Sequence, residues 1–348
     1  MLLETSKFHE VEELLGVPRS TISRWLSEGG PFFYSVEHFS VKRVWTDEGT
    51  LDREFLERLL RIGMWIYTTG MRGKFDEKYA VKLPADVLRF PPVSLHEREI
   101  VITTEYAQVK IENPLTITAW RVLLGLLRYG KEEKRDPTMG LRVSIETYKL
   151  LGFMKTADWK DLKEVLKSLT ECRYEIRYQR GIAGFVVAGE FGIEKDGRTY
   201  VVLTASFMKS MEDYASLWFY YPFAFFLRKP SAINLHAFLT ANSTINRVKI
   251  ETARERARIS KVNITQAKKY LQMALNELVE VGFLKGYRFE EDVIVLERYP
   301  MEVLRIRAIE LQRQLDKEVQ EFIEKLRQAF RESKRKKRRK EKGDNQKQ

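Results

Sequence analysis

Three observations predict an α+β, mostly helical chain of tandem winged-helix domains, preceded by a small helix-turn-helix domain and followed by a long helix and a basic tail. The first is a repeat: Val143-Ser144-Ile145-Glu146-Thr147 returns, one residue changed, as Val248-Lys249-Ile250-Glu251-Thr252. The second is a shared pattern after each copy: a short helical stretch, a break and a longer amphipathic helix. The leucines of that helix fall at Leu162, Leu166 and Leu169 after one copy and at Leu271, Leu275 and Leu278 after the other. The third is the aromatic-rich strands that close each copy, since helices followed by a β-ribbon make a winged helix. The offset is 105 residues at the pentapeptide and 109 at the leucines, so one loop is expected to differ by four.

A chain of 348 residues has room for two or three domains. Its formal charge of +12 favours a polyanionic partner. Much of that charge is local, because Lys334 to Lys342 holds eight basic residues and one acid. Cys172 is the only cysteine, which excludes an internal disulfide and a cysteine-rich zinc cage and fits a reducing, cytoplasmic setting. Met1 to Glu10 lacks the pattern of a signal peptide. The most apolar run, Leu217 to Leu227, is far shorter than the ~20 residues of a membrane span, so no membrane partner is expected.

Residues 1–74 form the expected helix-turn-helix domain. Phe8, Val11, Leu14 and Leu15 make a short helical face, Gly16-Val17 turns the chain, and Pro18 suits the first position of the next helix. That helix turns Ile22, Trp25 and Leu26 inward and leaves Arg19, Ser20, Thr21, Ser23 and Arg24 outward, for DNA or for another protein. The run Gly-Val-x-x-Ser-Thr-Ile-Ser-Arg-Trp resembles the helix-turn-helix of excisionase-like and MerR-like proteins. Pro84 and Pro91-Pro92 break up residues 75–99, which read as a linker.

Residues 100–229 are the first winged helix. Ile100 to Ile111 reads as a strand, Thr116 to Tyr129 as a helix and Gly130 to Gly140 as a polar loop. Ser144 is the expected N-cap of a short helix ending near Leu151 with Gly152 as its stop, and Asp158 opens a longer helix to Glu171. Three strands come next, the last two joined at Asp196-Gly197, a hairpin signal. Residues 230–300 are the second winged helix, with helices at Ala232–Ala241, Glu251–Arg258 and Val262–Val281. Ile264, Ala267, Leu271, Ala274, Leu275 and Leu278 trace the buried face of the last one. Strands at Phe283–Phe289 and Val293–Arg298 form its wing. Residues 301–333 carry an apolar stripe that lies on its own domain or on a partner helix, and residues 334–348 read as a disordered basic tail.

Catalytic chemistry is absent from this pattern, and no enzyme activity, metal or cofactor is expected. His9, His38, His96 and His236 never pair as His-x-His, the arrangement with which rolling-circle nickases hold a metal. Gly192 to Thr199 nearly spells a phosphate loop, but it has arginine in the lysine position and joins two strands instead of opening a helix.

Duplex DNA is the expected partner. A winged helix places its third helix in the major groove. There Asn263, Thr265, Gln266, Lys269, Gln272 and Asn276 would meet bases, with Ser260 and Lys261 at its start. Arg254, Arg256 and Arg258 lead into this helix and are expected on phosphates. The earlier copy offers Lys155, Lys160, Lys163 and Lys167, which suits backbone grip more than base reading; any single lysine is equally a solvated surface residue.

The stretch Ala274-Leu275-Asn276-Glu277-Leu278 through Gly286-Tyr287, with the preceding Asn234-Leu235-His236-Ala237-Phe238-Leu239, resembles the plasmid replication initiator proteins over roughly residues 100–300. The resemblance implies binding to directly repeated sites, the iterons, at a plasmid origin, opening of nearby duplex, and recruitment of a host initiator and replicative helicase. It also implies a homodimer off DNA, for which Leu217 to Leu227 is an apolar candidate unless it is buried between the domains. A transcription regulator using the same DNA-binding surfaces is the alternative. The extra module at residues 7–62 departs from the family pattern.

Overall fold

The computed structural model describes residues 79–104, 107–136, 138–178, 181–194, 196–212, 216–259, 263–299 and 301–344. The helix-turn-helix candidates Arg19, Ser20, Thr21, Ser23 and Arg24 lie outside them, as do Ser260 and Lys261. The chain divides into two compact units, Met1–Lys78 with Tyr299–Arg307, and Tyr79–Arg298 with Ala308–Gln348. The second is a mixed α+β unit.

Its elements run β1 (Val81–Pro84), α1 (Ala85–Arg89), β2 (Glu99–Thr103), β3 (Ala107–Glu112), α2 (Ile117–Tyr129), β4 (Lys131–Asp136), β5 (Gly140–Glu146), α3 (Thr147–Met154) and α4 (Trp159–Glu171). Then come β6 (Arg173–Tyr178), β7 (Gly181–Val186), β8 (Ala188–Ile193), β9 (Arg198–Leu203), α5 (Ala205–Glu212), β10 (Ser216–Phe219) and α6 (Pro222–Phe226). The series ends with α7 (Pro230–Ala241), β11 (Arg247–Lys249), α8 (Ile250–Arg256), α9 (Ile264–Glu280), β12 (Leu284–Glu290), β13 (Val293–Arg298) and α10 (Met301–Asp344).

One order recurs: helix, strand, helix, helix, strand, strand. It is α2-β5-α3-α4-β8-β9 in the first half and α7-β11-α8-α9-β12-β13 in the second. The sheets agree, with β5-β9-β8 in one and β11-β13-β12 in the other, all antiparallel. The first half adds β4 on the β5 edge and inserts β6–β7, which complete a separate sheet of order β2-β3-β6-β7. The repeated pentapeptide marks the passage from strand to helix in both. Thr147 opens α3 and its amide meets the Gly197 carbonyl, while Ile250 opens α8 and its amide meets the Asp292 carbonyl. The four-residue offset falls in a helix and not in a loop alone, because α9 has 17 residues against 13 in α4.

Local chemistry accounts for the helix starts. Thr116, Asp158 and Asn263 each accept a hydrogen bond from a first-turn amide, of Ala119, Lys160 and Gln266 respectively. Leu162, Leu166 and Leu169 of α4, and Ala267, Leu271, Ala274, Leu275 and Leu278 of α9, are buried. Ile264, expected on that face, is instead 48% exposed because it begins the extra first turn of α9.

Several expectations are corrected. Within the expected linker, residues 79–99 are structured: β1 pairs with β10, and Val81, Leu83, Val87, Leu88, Phe90 and Val93 are buried. Prolines stand at its element ends, where they break nothing. Ile100 to Ile111 is not one strand but the hairpin β2–β3. The polar segment 131–136 is β4, an exposed edge strand whose charges suit an edge that must not pair further. Ser144 is buried inside β5, where it accepts from Arg198, so it caps nothing; α3 ends at Met154, followed by Lys155 in the left-handed region at φ 55°. The basic tail is helical as far as Asp344, since Lys and Arg are good helix formers extending an existing helix.

The run Leu217 to Leu227 belongs to the core, with Phe219, Tyr221, Phe223 and Leu227 fully buried. The part of α10 after Ala308 packs on the first half. Leu311, Leu315, Val319, Ile323 and Leu326 are buried, Tyr129 donates to Asp316 at 2.8 Å, and Lys155 pairs with Glu318 at 2.8 Å. Gly152 lets the helices approach, since a Cβ there would sit 2.9 Å from the Val319 side chain.

Candidate nucleic-acid interface

Helix α9 presents a polar outer face. Asn263, Thr265, Gln266, Lys269, Gln272 and Asn276 are all exposed. Thr265, Lys269, Gln272 and Asn276 fall in one line at i, i+4, i+7 and i+11. Beside it runs a second line that sequence reasoning took up only in part: Gln266, Tyr270 and Met273, of which Tyr270 is 39% and Met273 40% exposed. Their spacing from Gln266 was the available signal for Tyr270. The face is partly ordered in advance. Tyr287 on β12 donates to Asn276 Oδ1 at 2.6 Å, and Gln266 Nε2 donates to the Tyr270 hydroxyl at 3.3 Å. Burial raises the Tyr287 phenol above its ordinary value, which keeps it a donor.

The base of α9 is anchored by Glu277, whose side chain is nearly buried. Its carboxylate accepts the backbone amides of Arg228 at 2.9 Å and Lys229 at 3.1 Å, and pairs with the Lys229 ammonium. The long helix is thereby fixed to the start of α7.

The arginines before α9, expected on phosphates, turn toward the protein. Arg256 is buried, with its guanidinium 4.6 Å from the Phe90 ring centre, and Arg258 donates to the Pro91 carbonyl at 2.9 Å. Burial lowers both below the ordinary arginine value, Arg258 to about 10. Arg254 is half-buried and donates to Ile259 O at 3.1 Å. A basic run looks the same in sequence whether it faces water or an aromatic ring, and Phe90 and Pro91, which receive Arg256 and Arg258, lie in the expected linker.

Helix α4 holds the equivalent place in the first half. Lys160, Lys163 and Lys167 are exposed there, but Asp161, Glu164 and Glu171 are interleaved on the same outer surface. Lys167 pairs with Glu171 at 3.3 Å. Lys155 is occupied by Glu318 of α10. Both hairpin tips are acidic, carrying Glu194 and Asp196 in one and Glu290, Glu291 and Asp292 in the other. The near-phosphate loop 192–199 is the β8–β9 hairpin, with Gly197 at φ 87°.

Among the described residues no group of three His, Cys, Asp or Glu side chains could hold a metal, and no helix is long and apolar enough to cross a membrane. His236 is fully buried in an aromatic cage, its ring centre 4.5 Å from Phe283 and 4.6 Å from Phe219. Comparison with protein-family models and with curated proteins gives no match for this chain.

Proposed function

We propose that the chain binds duplex DNA through two winged-helix modules and initiates plasmid replication at directly repeated sites. The observation that carries this reading is α9. It is the third helix of a recurring helix-strand-helix-helix-strand-strand order, it is clamped at its base by Glu277, and it exposes Thr265, Gln266, Lys269, Gln272 and Asn276 in register. Amide side chains of this kind match adenine edges in the major groove, and lysine matches guanine or phosphate.

The two modules divide the work. The second reads bases, while the first, with a charge-balanced α4, serves spacing and backbone contact. Two modules on one face of DNA address successive major grooves, giving an asymmetric site of roughly 18–22 base pairs for one chain. The basic end of α10 adds salt-sensitive, sequence-independent affinity. Duplex opening and recruitment of a host initiator and helicase are the activities expected of a protein seated at such an origin. Gel-shift titration on an array of direct ~20-base-pair repeats is expected to give a ladder with one step per repeat. Binding restricted to an inverted repeat would replace this reading with that of a transcription regulator.

A further inference from the structure

Asn276 is exposed on α9, but its amide is not free to turn over. Tyr287 donates its hydroxyl proton to Asn276 Oδ1 at 2.6 Å, while the Gln272 carbonyl, the other acceptor described near that hydroxyl, is 3.4 Å away. Inside α9 the Gln272 carbonyl also has the Asn276 backbone amide as its ordinary i+4 partner. The phenol proton therefore goes to Oδ1. This fixes the amide with its carbonyl toward β12 and leaves the two Nδ2 hydrogens for whatever meets the helix.

The first half builds the same place without this contact. Both hairpins bulge at the same point, between Ala188 and Glu190 in β8 and between Leu284 and Gly286 in β12. Such a bulge re-aims the side chains that follow it. The register after it pairs Phe191 with Val201 in one hairpin and Tyr287 with Leu296 in the other. Matching the buried leucines of α4 and α9 puts Lys167 in the place of Asn276. The first half thus has a ring without a hydroxyl and a side chain without a carbonyl. A phenylalanine satisfies the packing of the hairpin, so the hydroxyl of Tyr287 is an addition particular to the half that presents amides.

We propose that Tyr287 is a positioning residue for base recognition: it holds Asn276 with its amide hydrogens outward, so that Asn276 selects a major-groove acceptor and rejects cytosine. This inference rests on the reading of α9 as the helix that meets bases. Purines present N7 in the major groove, guanine adds O6 and thymine presents O4, whereas cytosine presents only the donor N4 amine. A donor set against a donor leaves both unpaired where water is excluded, and that penalty is the source of the discrimination. Without the Tyr287 hydroxyl the amide turns over freely and offers Oδ1 to the cytosine amine.

The test begins with selection of the preferred sequence of the full chain from a random duplex library, and Asn276→Ala identifies the base pair that Asn276 reads. Four duplexes differing only at that pair are then titrated with the unaltered chain and with Tyr287→Phe. The variant installs the residue type of the first half and keeps the ring that meets Phe289 at 5.8 Å. For the unaltered chain, one orientation of the G·C pair, with cytosine on the strand facing α9, is expected to bind about tenfold more weakly than the best duplex. Tyr287→Phe should reduce that gap to about twofold and leave the preferences at all other positions unchanged. On the protein alone, the ¹⁵N side-chain amide signal of Asn276 is expected to shift in Tyr287→Phe. An A·T pair as the weakest of the four, a gap that persists in Tyr287→Phe, or an Asn276 amide signal that does not move would each overturn the positioning role and leave base reading by α9 standing. An unchanged preferred sequence in Asn276→Ala would overturn both.

Discussion

Helices α4 and α9 occupy the same place in a repeated topology and bury similar leucine stripes, yet their outer faces have diverged. On α4 each lysine has an acid beside it, and the neighbouring Lys155 is engaged by α10. On α9 the exposed residues between its ends are amides, a hydroxyl, a lysine, a tyrosine and a methionine, with Ile264 and Glu280 exposed at the two ends and Asn276 aimed by Tyr287. The inward periodicity of a repeat is set by packing, which both copies must satisfy in the same way. Its outward chemistry is free to change, and there the two halves part.

If the inner faces are equivalent, cutting either should cost alike. Leu166→Ala in α4 and Leu271→Ala in α9, both fully buried, are each expected to lose about 2–5 kcal/mol in urea unfolding. A cost below about 1 kcal/mol for one of them would break the equivalence.

The next expected difference centres on His236 of α7, which has no histidine counterpart in the first half. Burial in its cage of phenylalanines depresses the His236 imidazole to about 3. The unfolded chain takes up that proton near the ordinary histidine value while the folded chain does not. The associated stability is therefore fully present above about pH 6.5 and is lost as pH falls toward 3, at up to roughly 1.4 kcal/mol per unit. His236→Phe should flatten the acid limb of the stability curve by one proton; an unchanged slope would mean that the imidazole is not shielded as described.

The smallest expected effect concerns the acidic hairpin tips. Glu291→Lys at the exposed β12–β13 turn should raise sequence-independent DNA affinity and steepen its salt dependence by about one unit. No change in slope would place this tip away from the phosphates.

Legibility in the sequence depended on which forces act locally. Helices α2, α4 and α9 were readable because a 3.6-residue apolar period and the caps Thr116, Asp158 and Asn263 are written within each segment. The β12–β13 hairpin was readable because its strand alternation and its polar turn are also local. Strand β4 was not, since Lys131 to Asp136 carries no apolar alternation and owes its form to pairing with β5. Segment 81–93 was missed because its short elements are stabilised by distant partners: β10 for β1, and Asn234, whose side chain donates to Val93 O. The same long-range contacts explain the arginines. Arg256 and Arg258 look like phosphate ligands until Phe90 and Pro91 are brought to them.

The difference between α4 and α9 is tested most directly by selecting preferred sequences from a random duplex library with three proteins: the unaltered chain, Gln266→Ala/Asn276→Ala, and Lys160→Ala/Lys163→Ala/Lys167→Ala. The α9 variant is expected to lose base preference at the positions it reads, with about 1–3 kcal/mol of specific affinity per contact. The α4 variant should keep the same preferred sequence and weaken all sequences uniformly. A changed preference in the α4 variant, or an unchanged one in the α9 variant, would contradict the assignment of base reading to α9.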